Sequence, residues 1–418
     1  MKRYNVILLM VTLSACSVQA QVTKSITYQQ YIHKVCTDNL EYAAEKMNVS
    51  AARADVIAAK VFDDPSLSFT YSNNEDHTLQ MGQSYELGLS QNVTLGRRTA
   101  GIKLARSQSE LAEIVLTDYF RNLRADATLA YMEVMKQKQL YDIKKSAWSN
   151  MHGLAQSDSI RWVSGKIMEV EAIQSKLEAS IMYNEVLQAE TGLKQACTQL
   201  SPFTGTAVTD TLFNPSGALQ KPEQTFVLND LIEAAINHRS DLSAALKNAE
   251  VARRELTLAK REKRPDLEFS LGWSYNKRVR NEEAPAPAFN GVSAGIAIPL
   301  NFSSLNRGSV NAASFRAKQA ELQYDQMRLQ VQREVMEAYQ QFQSQTIQLK
   351  HYEGGILKQA QEVLDGKVYS YNRGEVSLLE ILNAQRTYDD VQAQYIETLF
   401  NYNAALVELE RSSGIWSL

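Results

Sequence analysis

Apolar and polar residues alternate strictly through the stretch that begins at Leu267. Leu267, Phe269, Leu271, Trp273 and Tyr275 share one parity, and Glu268, Ser270, Gly272 and Ser274 fill the other. After a polar stretch over 276–290, Val292, Ala294, Ile296, Ile298 and Leu300 resume the apolar set against Ser293, Gly295 and Ala297. Successive side chains on a strand point to opposite faces, so the pattern predicts a hairpin that is apolar on one face and small or polar on the other. Pro265 marks the end of the preceding helix, because the residue before a proline is pushed out of the α region. The arrangement has a copy about 200 residues earlier. There Asp64-Pro65-Ser66-Leu67-Ser68-Phe69-Thr70-Tyr71 leads through a loop into Tyr85-Glu86-Leu87-Gly88-Leu89 and Gln91 to Leu95. Each strand is about 8–11 residues long, the length a tilted strand needs to cross a bilayer. Alone, the alternation fits soluble hairpins packed on helices as well as a membrane sheet.

Around the hairpins the period changes to that of helices. Short helices are expected over 26–35 and 40–62, a long one over 99–160, a break at Ser164-Gly165, and a return helix over 168–200. The second half repeats this, with helices over 227–237, 242–263 and 306–371, a break at Gly374, and a return over 377–411. A fixed long-range repeat outweighs any single motif in deciding the fold. Residues 21–200 form one repeat with its hairpin at 66–95, and 226–418 form the second with its hairpin at 266–302. The segment 201–225, carrying Pro202, Gly205, Pro215, Gly217 and Pro222, reads as an equatorial linker. Each long helix, at roughly 60 residues, spans on the order of 90 Å and matches the two shorter helices of its half laid end to end. Ile381, Tyr388, Tyr395, Tyr402 and Leu409 recur every seventh residue, as do Phe315, Leu322, Leu329 and Met336. Sevenfold spacing is a coiled-coil seam. Four strands cannot close a barrel, and open sheet edges are not tolerated in lipid, so several copies must share one. Three copies give twelve strands.

Composition agrees with long helices: aromatic residues make up 8%, and there are 18 Gly and 8 Pro. The net charge of −3 gives no reason to expect a nucleic-acid partner. Residues 1–20 read as an export signal, with Lys2 and Arg3 ahead of an apolar run over 6–13 that is too short to span a membrane. Two processing sites compete there. Leu13-Ser14-Ala15-Cys16 resembles a bacterial lipobox and makes Cys16 a candidate for lipidation, while Val18-Gln19-Ala20 suits ordinary signal peptidase. Cys36 and Cys197 could pair or simply be buried apolar residues.

The duplicated plan resembles the TolC-like outer-membrane efflux proteins, in their cation and drug efflux branch, across essentially the whole mature chain. The most specific residues are Tyr371-Asn372-Arg373-Gly374-Glu375-Val376-Ser377, followed by Leu382-Asn383-Ala384-Gln385. The first-half counterpart around Trp162 to Ile167 is looser. The resemblance implies an α+β membrane protein: a tandem-duplicated α-helical barrel of long coiled-coil helices with four strands per chain. As a homotrimer it would complete a twelve-stranded transmembrane β-barrel in the outer membrane of a Gram-negative bacterium. It further implies a helical tunnel across the periplasm, a periplasmic adaptor protein and an inner-membrane pump of the RND type. Glu380 stands where the family carries an acid at the narrow periplasmic entrance, Asn383 where a second acid can occur, and Tyr371 belongs to the same gate. Val376 stands where some members carry a locking arginine, which puts that lock in doubt. Gly165, Gly374 and Ser377, at the helix breaks farthest from the strands, are the expected adaptor-docking tips.

No catalytic constellation, cofactor motif or metal-ligand spacing appears. His33, His77, His152, His238 and His351 are scattered, and Met132 and Met135 lack a His or Cys partner. Basic residues cluster where helices meet strands: Arg97, Arg98, Lys263, Arg264 and Arg307. Cations suit the helix end at 263–264, whereas Arg97, Arg98 and Arg307 sit at helix starts that disfavour them. Contact with outer-membrane lipid phosphates accounts for all three places. Two function classes remain: a passive duct, for solute efflux or for type I protein secretion, and a periplasmic coiled-coil scaffold lipoprotein without a barrel.

Overall fold

The sheet is where sequence pattern and structure meet most directly. In the computed structural model, which describes residues 22–76, 80–207, 211–299 and 305–416, four strands form one antiparallel sheet in the order β2-β3-β5-β6. They are β2 (Ser66–Asn73), β3 (Gln83–Val93), β5 (Leu267–Asn276) and β6 (Phe289–Ala297). The two hairpins join through β3 and β5, with Leu89 opposite Leu271, Leu87 opposite Trp273 and Tyr85 opposite Tyr275. Phe269 faces Ile296 and Trp273 faces Val292 across β5 and β6. The apolar parities therefore line up across all four strands. The other face interlocks serine with glycine: Ser68 faces Gly88, Ser270 faces Gly295 and Ser293 faces Gly272. A methyl group at Gly272 would stand 2.5 Å from Ser293 Oγ, so that face admits only small side chains. The apolar face is bare, with Leu67, Phe69, Leu271 and Val292 all exposed.

The chain divides into two compact units, each drawing on both sequence repeats. The unit that holds the sheet comprises residues 41–125, 223–344 and 405–418. It contains α2 (Leu40–Ala58) almost entire, α7 (Ser240–Arg261), and the leading parts of α3 (Arg97–Val163) and α8 (Leu305–His351). Ala249, Ala252, Ala317 and Ala320 pack α7 closely on α8. Arg239, at the α7 N-cap, is buried and donates to Asp241, to Glu334 at 2.7 Å and to the Ser412 carbonyl at 3.1 Å. Phe315, Leu322, Leu329 and Met336 do not form a seam within the chain. Phe315 is 76% exposed and Leu329 68%, while Ala317, Ala320, Val331 and Val335 face inward.

The second unit comprises residues up to 40 together with 126–222 and 345–404. Its α1 (Tyr28–Asp38) begins at Thr27, whose hydroxyl and Gln30 form a reciprocal capping box. Tyr31 is fully buried against the Tyr131 ring, and Tyr131 donates to the Ile26 carbonyl. The segment 201–225 is not an irregular linker. It holds α5 (Ser201–Thr204) and β4 (Thr211–Pro215), which pairs in parallel with β1 (Val22–Ile26). Near the end of α4 (Glu169–Thr198), Cys197 is a buried thiol and not half of a disulfide. In the second repeat, α6 (Leu228–His238) precedes α7. The long helix there is interrupted by a π turn at Tyr352–Ile356, where Gly355 takes φ 137° before α9 (Leu357–Asn372). The last helix, α10 (Leu378–Ser413), carries the other sevenfold series inward, with Ile381, Tyr402 and Leu409 buried. The export signal with Cys16, His77, and the hairpin end at Leu300 and Phe302 lie outside the described residues.

Candidate functional site: the gate at the helix breaks

Both helix breaks follow one local design. Gly165 and Gly374 take φ 72° and 77°, the left-handed conformation that closes a helix and that a side chain disfavours. At the second break the Gly374 amide donates to the Tyr371 carbonyl and the Glu375 amide to the Ser370 carbonyl. Each return helix then starts with a glutamate reaching back over its first turn. Glu171 accepts from the Met168 amide at 3.3 Å, and Glu380 accepts from the Ser377 amide at 3.4 Å. Glu380 therefore caps α10, as Glu171 caps α4. Its other oxygen receives Lys367 Nζ from α9 at 2.7 Å. The Lys367 ammonium, then the Ser377 amide, hold the Glu380 carboxyl below its usual range. Glu380 is thus half of an ion pair within its own chain, and Asn383 is exposed one turn further along α10.

Tyr371 is the buried member of the candidate site. Its hydroxyl donates to Asp158 Oδ1 at 3.0 Å, joining the end of α9 to the end of α3. Asp158 is 0% exposed, and Arg161 stands one turn on, 3.5 Å from the same oxygen and 4.8 Å over the Tyr371 ring. Burial raises the Asp158 carboxyl, with the Tyr371 hydroxyl drawing it partly back. Burial and the neighbouring carboxylate push the Tyr371 phenol far above its ordinary value. Around this trio Met151, Ala155, Met182, Leu378, Ile381 and Leu382 form an apolar cluster, against which Val376 packs. Arg386 of α10 reaches Glu178 of α4 at 2.6 Å, a second tie between the two halves. A groove of about 600 Å³ between α3, α9 and α10 carries Asp365 and the buried Asp389. Among the described residues, no group of three or more His, Cys, Asp or Glu is placed to hold a metal ion.

The structure brings Tyr371, Glu380, Gly374 and Ser377 together at one break, with Gly165 at the other. Asp158, Arg161 and Lys367 complete the cluster of polar contacts and were not expected from the sequence. Asp158 lies 213 residues from Tyr371, and no local spacing signals the pairing. The basic residues lie elsewhere, beside the sheet. Arg97 pairs with Asp266 at 3.3 Å, Arg98 donates to the Lys60 carbonyl at the end of α2, and Lys263, Arg264 and Arg307 are exposed.

Comparison with known proteins adds the family. Residues 231–415, which span the second hairpin and its helix break, match the family model described as "Outer membrane efflux protein". Over those residues the chain carries the pattern of that family. Over 398 residues it is 23% identical to the cobalt-zinc-cadmium resistance protein CzcC of Cupriavidus metallidurans, covering 93% of this chain and 90% of that one. The fold is that of CusC, with a TM-score of 0.75 at 17% identity over 93% of this chain and 92% of that one. It is also that of the Campylobacter jejuni CmeC outer membrane channel, with a TM-score of 0.76 at 13% identity over 92% and 85%. The sheet leaves one face of the chain bare and apolar. None of the chain's described helices is long and apolar enough to cross a membrane.

Proposed function

We propose that this chain is an outer-membrane efflux protein and the exit duct of a tripartite machine, with divalent transition-metal cations as its cargo. The observation that carries the reading is the sheet. Its outer strands β2 and β6 run in opposite directions and present open edges, and its apolar face is exposed. In hydrocarbon each unpaired backbone group costs several kcal/mol, so the β6 edge of one copy pairs antiparallel with the β2 edge of the next. Three copies close a ring of twelve strands, with the Ser and Gly face inside. The helix breaks then form the periplasmic entrance, held shut in each copy by the Tyr371–Asp158 bond and bordered by Glu380 and Asn383. Gly165, Gly374 and Ser377 offer the adaptor its docking tips, and the adaptor links them to an inner-membrane pump of the RND type. Similarity to CzcC along nearly the whole chain supports metal cations over drugs.

Deletion of the gene tests the cargo. Loss of the duct is expected to lower tolerance to cobalt, zinc and cadmium salts several-fold, with restoration by the wild-type gene. Unchanged metal tolerance together with new sensitivity to dyes, bile salts or antibiotics overturns the metal reading and assigns the duct to drugs.

A further inference from the structure

A cleft of about 710 Å³ opens beside the sheet, where the end of α2, the end of β3, the start of α3 and the last turn of α7 meet. Its lining carries charges of both signs together with apolar side chains. Arg97, Arg98, Asp63 and Glu262 line it together with Phe62 and Val93. Three details set this cleft apart from an ordinary surface groove. The Arg98 guanidinium lies 3.7 Å over the Phe62 ring, yet its Nε is buried with no hydrogen-bond partner among the described residues. The carboxylates of Asp63 and Glu262 are exposed and enter no ion pair among the described residues, although two arginines line the same cleft. Phe62 is 70% exposed and Val61 63%, although both sit at the foot of a sheet whose apolar face is itself bare.

We propose that this cleft binds the headgroup of a phospholipid that carries a primary amine, a phosphoethanolamine, from the periplasm-facing leaflet of the outer membrane. The phosphate takes the Arg98 and Arg97 donors, since guanidinium and phosphate form strong charge-assisted hydrogen bonds. The ammonium takes Asp63 and Glu262, which an anionic headgroup leaves unused and even meets with repulsion. The acyl chains follow Phe62 and Val61 onto the apolar face of the sheet. A helix N-terminus adds donors here, because the first amides of α3 have no partners inside the helix. The same contacts explain why two arginines stand at a helix start that disfavours cations: they face an anion and not the helix dipole alone. The inference rests on the sheet crossing the outer membrane, a reading that is checked separately by the oligomeric state in detergent.

The test is a lipid titration of the purified full-length protein in detergent, read by native mass spectrometry. Short-chain phosphatidylethanolamine, phosphatidylcholine and phosphatidylglycerol are compared, with soluble phosphoethanolamine as competitor. Phosphatidylethanolamine is expected to bind at least fivefold more tightly than the other two. Soluble phosphoethanolamine at the same concentration should not displace it, which distinguishes a lipid from a free phosphate compound. Arg98→Gln should weaken all three lipids about tenfold. Asp63→Asn, at an exposed position that leaves the fold intact, should abolish the preference for phosphatidylethanolamine over phosphatidylcholine. Equal binding of the three lipids by wild type overturns the proposal, and so does a preference that survives Asp63→Asn. Displacement by soluble phosphoethanolamine reassigns the cleft to a soluble ligand and overturns it as a lipid site.

Discussion

Asp389 shows how much a single residue contributes to the working conditions of this protein. It is 7% exposed, accepts one bond from Gln385 at 2.8 Å, and lies near Glu185 and Asp390 as well as Lys144. Burial, the largest cause, pushes its carboxyl up to about 6 from 3.8. Between those two values the folded chain holds a proton that the unfolded chain has released, so stability falls as pH rises through that window. Above it the penalty is complete, at roughly 3 kcal/mol by the linkage of about 1.4 kcal/mol per pKa unit. Asp389→Asn removes the charge and keeps the shape. It is expected to raise Tm by a few degrees at pH 7.5 and to leave it unchanged at pH 4; equal shifts at both would refute the ionised, penalised carboxylate. Residues of this kind are the least legible part of the sequence. Asp158 and Asp389 read as ordinary helix-surface acids, because only the return of a distant helix buries them. Glu380 was legible through its place in a motif, but not its pairing with Lys367, thirteen positions back on another helix.

At the level of elements, the faces of the strands were legible in the sequence, and the second helix break was legible only in outline. Strict alternation assigns each side chain to a face, and a slip of one residue would turn every apolar side chain inward, so pattern and pairing coincide. The strand Thr211–Pro215 escaped because its five residues lie between Pro202 and Gly217, where turn chemistry dominates the local signal. The π turn escaped because one glycine pair carries little weight inside a helix dozens of residues long. At the breaks, the glycine turns fix where the helices end, while the Tyr371 hydroxyl on Asp158 fixes how α9 sits against α3. A hydrogen bond to a charged group contributes about 1.5–3 kcal/mol, and its loss leaves Asp158 buried with one partner fewer. Tyr371→Phe should therefore loosen the entrance. In planar bilayers its single-channel conductance is expected to exceed that of wild type at least twofold, with far-UV circular dichroism unchanged. Conductance equal to wild type would mean that the bond holds the fold and not the gate.

At the scale of the whole molecule, the surfaces left unfilled in one copy are what the proposed trimer would cover. Phe315, Leu322 and Leu329 recur at the sevenfold spacing of a coiled-coil seam, yet all three are exposed while the alanines and valines of α8 do the packing within the chain. The sheet repeats the theme, with two open edges and one bare face. Head-to-tail contacts of this kind close into a ring when the rotation per copy is right, and a filament otherwise. An outer-membrane sheet requires the ring, since any edge left in lipid is unsatisfied. Burying each of the three side chains contributes on the order of 1.5–3 kcal/mol, enough that losing all three outweighs most single interactions in the interface. The triple substitution Phe315→Ser, Leu322→Ser and Leu329→Ser touches no residue that packs inside one chain. It is expected to leave monomer helicity intact and to shift native mass in detergent from about three chains to one. A wild-type protein that runs as a stable monomer with full strand content would remove the barrel itself. A triple variant that remains trimeric would place the interface on another face of α8.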